Sequence, residues 1–335
     1  MVKTICLGIE STAHTFGIGI IDSNGKILAN CKRQFTVKDK AEGLKPYEVS
    51  IHHYNCAIEV LTEALNVSKL KMKDISVVAF SKGPGLAPCL SVSATVARCL
   101  SDKYKKPIIG VNHCVSHIEI GKTILKCKDP LVIYTSGANT QIIAKDNGYY
   151  KILGETLDIG IGNLFDSFAR DMGYGFPGGP VLDKVYMENK ERKYIELPYS
   201  VKGMDLAFSG LQTAARRKIQ TEKKEDLVYS FMHTAYAMLL EVTDRALSYT
   251  KKKEIMVIGG VAASKALTEM LEKLAKQNKV KLYVPPAIVC LDNGVLIADL
   301  GLKHYLYTYK KKGGMKLEET EINPKFRTDQ IKIDW

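Results

Sequence analysis

Two imidazoles, His113 and His117, stand four residues apart in Val111-Asn112-His113-Cys114-Val115-Ser116-His117. On a helix that spacing turns both rings to one side, where they can share a metal ion. The spacing is that of the zinc-protease motif His-Glu-x-x-His, but Cys114 occupies the place of the general-base Glu, so a protease reading loses its base. The apolar run Pro107 to Val111 reads as a short strand and Ile118 to Gly121 as continuing helix. The pair therefore falls where a strand hands over to a helix, the usual place for a site in an α/β protein.

The elements that must position this pair form a pattern that occurs twice. Ile5 to Ile9 reads as a strand, Glu10 to Thr15 as a polar loop, Phe16 to Ile21 as a strand alternating with glycines, Asp22 to Gly25 as a hairpin turn and Lys26 to Arg33 as the returning strand. Leu131 to Tyr134, Thr135 to Thr140, Gln141 to Ala144, Lys145 to Gly148 and Tyr149 to Leu153 repeat that order. A repeat unit of this length means a duplicated domain. Helical spacing over Pro46 to Leu65, a strand at Ile75 to Phe80, the turn Gly83-Pro84-Gly85 and a helix from Ser91 to Leu100 complete the first copy.

In the second half, Gly162 to Arg170 reads as a helix start carrying Asp166, and Gly173 to Pro180 as a glycine-rich loop with Asp183 one turn beyond. Asp205 to Gln220 and Asp226 to Thr250 read as amphipathic helices. Ile255 to Val261 is a buried strand running into Gly259-Gly260 and then a helix over Lys265 to Lys276, a geometry that brings backbone amides near a nucleotide. Lys281 to Val284 reads as a strand, Cys290 to Gly294 precedes an apolar helix to Leu302, and the polar tail Tyr307 to Trp335 is expected to wrap back on the surface. A P-loop is excluded, because no Gly-x-x-x-x-Gly-Lys-Ser/Thr occurs.

The 335 residues, 46% hydrophobic and 25% charged, suffice for two lobes with their own cores. No apolar run reaches membrane-spanning length and no secretory leader is evident, so a cytoplasmic protein with no membrane partner is expected. The eight cysteines lack paired C-x-x-C spacing and read as reduced core thiols. Lys and Arg (48) exceed Asp and Glu (36), in clusters such as Lys103-Tyr104-Lys105-Lys106, Arg216-Arg217-Lys218 and Lys310-Lys311-Lys312, which favours an anionic partner such as nucleic acid. The expected architecture is α/β and actin-, heat-shock-protein- and sugar-kinase-like. Residues 1–125 plus 300–335 would form one lobe and 126–299 the other, with nucleotide and metal in a cleft between them.

Several motifs then occur in a fixed order: Gly8-Ile9-Glu10-Ser11-Thr12, Gly83-Pro84-Gly85-Leu86, Asn112-His113 to His117, Gly154 to Asp158, Pro177-Gly178-Gly179-Pro180, Phe208-Ser209-Gly210-Leu211, Gly259 to Ala263, and Asp292-Asn293-Gly294. In these the chain resembles, over nearly its whole length, the tRNA N6-adenosine threonylcarbamoyltransferase family. This is the catalytic subunit of the archaeal and eukaryotic KEOPS complex, formerly described as an O-sialoglycoprotein endopeptidase.

The resemblance implies transfer of a threonylcarbamoyl group from its adenylate to N6 of the adenosine following the anticodon, in tRNAs that read ANN codons. It implies metal ligands at His113, His117, Tyr134 and Asp292 and a metal that is iron or zinc; two imidazoles, a phenolate and a carboxylate suit iron and admit zinc. It implies nucleotide and substrate contacts at Tyr134, Thr135, Ser136, Gly137, Ala138, Asp166, Gly179 and Asp183, with Ser11 and Thr12 lining the first loop, for ATP or the threonylcarbamoyl-adenylate with Mg. Implied partners are tRNA, a small atypical kinase-like ATPase, a dimerising subunit and a tRNA-binding subunit.

Three positions depart from the family pattern: Ala138 replaces a glycine, Ser264 stands where an Asn follows Gly-Gly-Val-Ala-Ala, and Asp183 stands where a Glu is frequent. Ser264 keeps a hydrogen-bonding group on a shorter arm, which bears on its ligand contact. No residue is singled out as a general base. The alternatives are an ATP-dependent kinase or ATPase of the same fold, which has no need of the histidine pair, and a nucleotide-switched scaffold in which the metal is structural.

Overall fold

The computed structural model describes residues 3–36, 45–175, 177–286 and 290–335. Phe176, part of the expected glycine-rich loop, lies outside them. The chain divides into two units, Met1–Ile124 with Leu291–Trp335, and Leu125–Cys290.

The first unit is built on five strands, β1 (Ile5–Glu10), β2 (Thr15–Asp22), β3 (Ile27–Gln34), β4 (Val77–Gly83) and β5 (Ile108–Asn112), in the order β3-β2-β1-β4-β5. β1, β2 and β3 pair antiparallel, while β1–β4 and β4–β5 are parallel. The parallel pairs need crossovers, and α1 (Pro46–Ser68) and α2 (Ala87–Tyr104) supply them. Their apolar stripes, with Val60 and Ala64 from α1 and Ala94 and Ala97 from α2, bury against Leu7, Ile9, Ile18, Val78 and Phe80 of the sheet. α3 (His113–Leu125) follows β5 without a break.

A last helix, α9 (Gly294–His304), packs on β1 and β2, and the glycines of those strands exist for it. A Cβ on Gly19 would lie 2.2 Å from Val295 N, and one on Gly8 2.2 Å from Ala298 N. The C-terminal return to the first unit consequently begins at Leu291 and not at residue 300, because α9 as a whole belongs to this sheet. The tail beyond it is more than a polar wrap: Met315 N donates to Ile108 O (3.0 Å), Asn323 N to Lys82 O (2.8 Å) and Arg98 to Thr320 O (2.9 Å).

The second unit has the strands β6 (Leu131–Thr135), β7 (Thr140–Asp146), β8 (Tyr149–Glu155), β11 (Glu254–Ile258) and β12 (Lys281–Tyr283) in the order β12-β11-β6-β7-β8. The antiparallel hairpin set and the two parallel additions recur with the same connectivity as in the first sheet. Its helices are α4 (Ile161–Asp171), α5 (Gly178–Glu188), α6 (Ser209–Lys218), α7 (Lys224–Thr250) and α8 (Lys265–Asn278), and a two-stranded sheet pairs β9 (Val201–Lys202) with β10 (Asp205–Leu206). Phe165, Phe168, Phe231 and Tyr236 centre the core between α4 and α7, with Phe168 and Phe231 stacked at 4.0 Å.

Three sequence expectations are corrected here. Gly178, Gly179 and Pro180 open α5 and are not loop, since the Asp166 carboxylate accepts from Gly178 N (2.7 Å) and Gly179 N (3.2 Å) and a proline is tolerated in a first turn. Asp205 belongs to β10, and the helix expected from it starts at Ser209. Glu10, expected in the first loop, is the last residue of β1. A short 3₁₀ turn, Gly260–Ala263, also intervenes between β11 and α8.

Candidate functional site

In the first unit the handover from β5 to α3 is held by Asn112. Its Oδ1 accepts from Val115 N (3.0 Å), capping the helix, and its Nδ2 donates to Phe326 O (2.9 Å) and Arg327 O (3.2 Å) of the tail. His113 therefore occupies the first helical position, and His117 projects one turn later on the same side. Their rings meet edge to face, with centroids 4.8 Å apart.

Asp292 reaches them from a segment about 175 residues further along the chain, close enough to share the imidazoles as partners. Asn293 fixes it by capping α9, its Oδ1 accepting from Val295 N (2.9 Å). Gly294 allows the backbone to lie on β2, where any Cβ would fall 2.0 Å from Gly19 N. Asp292 Oδ1 lies 3.4 Å from His113 Nε2 and 3.3 Å from His117 Nε2. One donor atom from each of the three residues falls within 4.8 Å of the others.

Glu10 is the residue that sequence reasoning missed. Completely buried at the end of β1, it places Oε2 3.0 Å from His113 Nδ1, while Oε1 accepts from Thr12 N (2.6 Å) and from the Thr12 hydroxyl. The signal was a carboxylate at the carboxyl end of a strand in the first motif, the position where open α/β sheets hold their ligands. Burial by itself disfavours the His113 imidazolium, but the Glu10 and Asp292 carboxylates on its two sides outweigh it and hold its pKa well above the usual histidine value. Burial likewise opposes ionisation of Asp292, and the two imidazoles overcome it, holding that carboxyl well below the usual range.

The donor set suits a metal. Two imidazole nitrogens and a carboxylate oxygen converge, and the outer nitrogen of one imidazole is already engaged by a carboxylate, the arrangement that fixes a metal-binding histidine in one tautomer. Among the other first-unit positions, Ser11 is turned away from the histidines. Its hydroxyl donates to Cys89 O (2.8 Å) and its amide to Ser81 Oγ (3.1 Å). Thr12 supports Glu10.

The remaining expected contacts belong to the second unit. Tyr134 and Thr135 end β6, both buried, and Thr135 Oγ1 donates to Ile258 O (3.1 Å). Ser136 to Asn139 form a tight turn closed by Ser136 N to Asn139 O (2.8 Å), and Ala138, exposed there, needs no left-handed backbone. The carbonyls of Ser136 and Gly137 take up Gly162 N (3.1 Å) and Asn163 N (3.0 Å), so this turn caps α4.

Asp166, as described, caps α5, and a Cβ on Gly179 would meet open space. Asp183 and Ser264 cap α8 together. Ser264 Oγ donates to Asp183 Oδ1 (2.6 Å) and accepts from Leu267 N (3.2 Å) and from the Tyr236 hydroxyl (2.9 Å), while Asp183 also accepts from Lys265 N and Ala266 N, each at 3.1 Å. The shorter Ser264 is therefore matched to Asp183 within the fold. Asp158, singled out only as part of a motif, joins two motifs by accepting from Phe208 N and Ser209 N, each at 2.9 Å, at the start of α6. Burial raises its pKa, but these amides prevail and lower it.

Comparisons with known proteins show what the chain as a whole is similar to. A family model described as "TsaD: tRNA N6-adenosine threonylcarbamoyltransferase" matches residues 26–299. A protein of Thermococcus sibiricus named tRNA N6-adenosine threonylcarbamoyltransferase is 49% identical over 335 residues, covering 99% of this chain and 100% of that one. A Methanosphaera stadtmanae protein named "Probable bifunctional tRNA threonylcarbamoyladenosine biosynthesis protein" is 49% identical over 332 residues, which are 99% of this chain and 60% of that one. Among solved structures, HypF of Thermococcus kodakarensis superposes with a TM-score of 0.65 at 14% identity over 94% of this chain and 49% of its own. That identity speaks for the fold alone, an α/β fold of the actin, heat-shock-protein and sugar-kinase kind.

Proposed function

The chain belongs to the tRNA N6-adenosine threonylcarbamoyltransferase family, a transferase that forms threonylcarbamoyladenosine on tRNA, and from that premise we propose its donor, its target and its metal. The donor is threonylcarbamoyl-adenylate. The target is N6 of the adenosine following the anticodon in tRNAs that read ANN codons. N6 attacks the carbamoyl carbon, a C–N bond forms, the bond from that carbon to the phosphate oxygen breaks, and AMP leaves with the electron pair while N6 loses a proton.

The observation that carries this reading is the convergence of His113, His117 and Asp292 in a chain 49% identical to the named transferase over its full length. These three residues hold the metal, iron or zinc, with Glu10 fixing His113. A metal bound there supplies Lewis acidity toward a donor oxygen, which contributes several kcal/mol in such sites. The chain's own part is positional. Glu10 holds His113 Nδ1 so that Nε2 faces the ligand position, and Asn112 and Asn293 lock the two helix starts that present the donors.

In the second unit, ATP or the adenylate, with Mg, binds along the Thr135–Ala138 turn and the start of α5. Open space at Gly179 supports this. Partners are tRNA and the KEOPS subunits: a small kinase-like ATPase, a dimerising subunit and a tRNA-binding subunit. No helix among the described residues is long and apolar enough to cross a membrane.

The test is incorporation of labelled threonine into tRNA by the chain, the adenylate-forming synthase and the partner subunits, with metal content measured alongside. Labelling that His113→Ala abolishes together with the bound metal supports the assignment. Equal labelling by a metal-free variant makes the metal structural, and no labelling by the unaltered chain refutes the donor.

A further inference from the structure

Three loops of the first unit meet at the amino ends of β4 and β5. The first, Lys69 to Asp74, leaves α1; the second, Lys103 to Pro107, is the end of α2 and the chain after it; the third, Lys310 to Gly314, follows the helical turn Tyr305–Tyr309 that continues α9. They are fastened to one another. Lys106 Nζ donates to Lys73 O (2.9 Å), Gly314 lies on Pro107, with the nearest approach for a Cβ at 3.1 Å, and Met315 N donates to Ile108 O (3.0 Å). Together they expose Lys69, Lys71, Lys73, Lys103, Lys105, Lys310, Lys311 and Lys312. Against these eight lysines stand two exposed acids at the loops, Asp74, which accepts from Lys71 N (2.8 Å), and Asp102, which pairs with Lys105 Nζ (2.9 Å), so a positive surplus remains.

A cavity of about 430 Å³ opens among these lysines, its apolar wall formed by Leu65, Leu70, Met72 and Tyr104 and its polar wall by Thr62, Asn66, Lys71 and Lys73. The Tyr104 ring is 38% exposed and carries Lys103 Nζ 5.5 Å from its centroid. A hollow with an exposed ring and apolar side chains on one wall, the polar Thr62 and Asn66 on another and a rim of ammonium groups fits an unpaired base flanked by phosphates. It fits a protein partner poorly, since lysine is depleted at the centres of protein interfaces.

Resting on the transferase reading above, we propose that this edge is an RNA exosite. The lysines neutralise backbone phosphates of the tRNA, and one unpaired base enters the cavity against Tyr104. β5 has five residues, so its amino end stands about 15 Å from His113 at its other end. The exosite therefore grips the substrate without touching the reacting atoms, and its contribution is to binding and not to the chemical step.

The test compares the full chain with a Lys71→Gln, Lys73→Gln, Lys103→Gln triple variant and with Tyr104→Ala, measuring tRNA affinity between 50 and 200 mM salt and steady-state transfer with the synthase and the partner subunits. The triple variant is expected to bind more weakly, with the log–log salt slope reduced by about 2. Tyr104→Ala is expected to bind about tenfold more weakly at an unchanged slope. Both should raise KM for tRNA at a kcat within about twofold of the unaltered chain. Should a variant fold poorly, the unaltered chain gives the answer by amine acylation: tRNA must shield Lys71, Lys73 and Lys103. Unchanged affinity and slope, absence of shielding, or loss of an acidic protein partner with tRNA binding intact overturns the exosite. If the unaltered chain transfers no threonine, the transferase reading has failed, and the binding and shielding data still decide the exosite.

Discussion

Glu10 Oε2 and His113 Nδ1 stand 3.0 Å apart, although 103 residues separate them in the chain. The contact fixes which nitrogen of His113 faces Asp292, and Thr12 holds the other carboxylate oxygen in place. Removing a carboxylate that orients a metal-binding histidine costs 10- to 100-fold in metal affinity or activity in such sites. Glu10→Gln, which keeps an acceptor for Thr12 but loses the charge, is expected to weaken metal binding by about tenfold with melting temperature nearly unchanged, and Glu10→Ala by more. Chelator competition beside a thermal melt checks this. Unaltered affinity in both variants would remove Glu10 from the site.

Gly19 and Gly210 make a contrasting pair. A Cβ on Gly19 would sit 2.2 Å from Val295 N, so Gly19→Ala must push α9, and with it Asp292, off the sheet. Overpacking of this kind costs about 1–3 kcal/mol or more. A Cβ on Gly210, on α6, meets nothing within 4 Å, and Gly210→Ala is expected to be neutral or to stabilise by up to about 1 kcal/mol. Urea unfolding of both variants, with metal content recorded for Gly19→Ala, tests the contrast. Equal stability of the two would mean that α9 does not need its close seat on β2.

Local pattern made much of the fold legible. The residues alternating with glycines along Phe16 to Ile21 marked a strand, and the histidine pair marked the end of β5. What stayed hidden were partnerships across long stretches of chain. Glu10 meets His113, Asp158 meets Ser209 fifty-one residues on, and Asp183 meets Ser264 eighty-one residues on. A sequence displays a carboxylate but not the amides that fill it. Asp166 and Asp183, which the resemblance marks as ligand contacts, also serve as helix caps, and for the same reason the start of α5 looks like loop in the sequence alone.

His53 and His304 give the fold a pH dependence of its own. His53 on α1 donates Nε2–H to Ala13 O (2.7 Å), and burial pushes its pKa down to about 4 despite that bond. His304 at the end of α9 is likewise pushed by burial to about 4. Unfolded histidine titrates near about 6.5, so between that pH and about 4 the unfolded chain binds protons that the folded chain refuses. The contribution of these two groups to stability is therefore full above pH 6.5, falls as pH is lowered through this window, and is not eroded further below it. Urea midpoints at pH 7.5 and 5.0 should differ, and His53→Gln should shrink the difference. A difference of the same size in that variant would assign the acid sensitivity elsewhere.

The helices that present the donors are also clamped together beyond them, at Glu119 on α3 and near the far end of α9 at Lys303. Glu119 on α3, 1% exposed, accepts from Lys122 Nζ (3.1 Å), Lys303 Nζ of α9 (3.1 Å) and the indole Nε1 of Trp335 (2.8 Å). Lys303 also meets Asp299 (2.9 Å) and donates to Thr123 Oγ1 (2.8 Å). Removing one partner of a buried charge cluster leaves the rest uncompensated, at a cost of about 3–5 kcal/mol. Glu119→Ala is expected in that range, and Glu119→Gln, which still accepts from the indole, to cost less. Trp335→Phe loses one charge-assisted bond and should cost about 1.5–3 kcal/mol. Chemical denaturation measures all three, and a double variant of Glu119→Ala with Trp335→Phe should cost less than the two single changes added together, because both remove the same bond. Strict additivity would show that the indole steadies the tail without bracing α3 against α9.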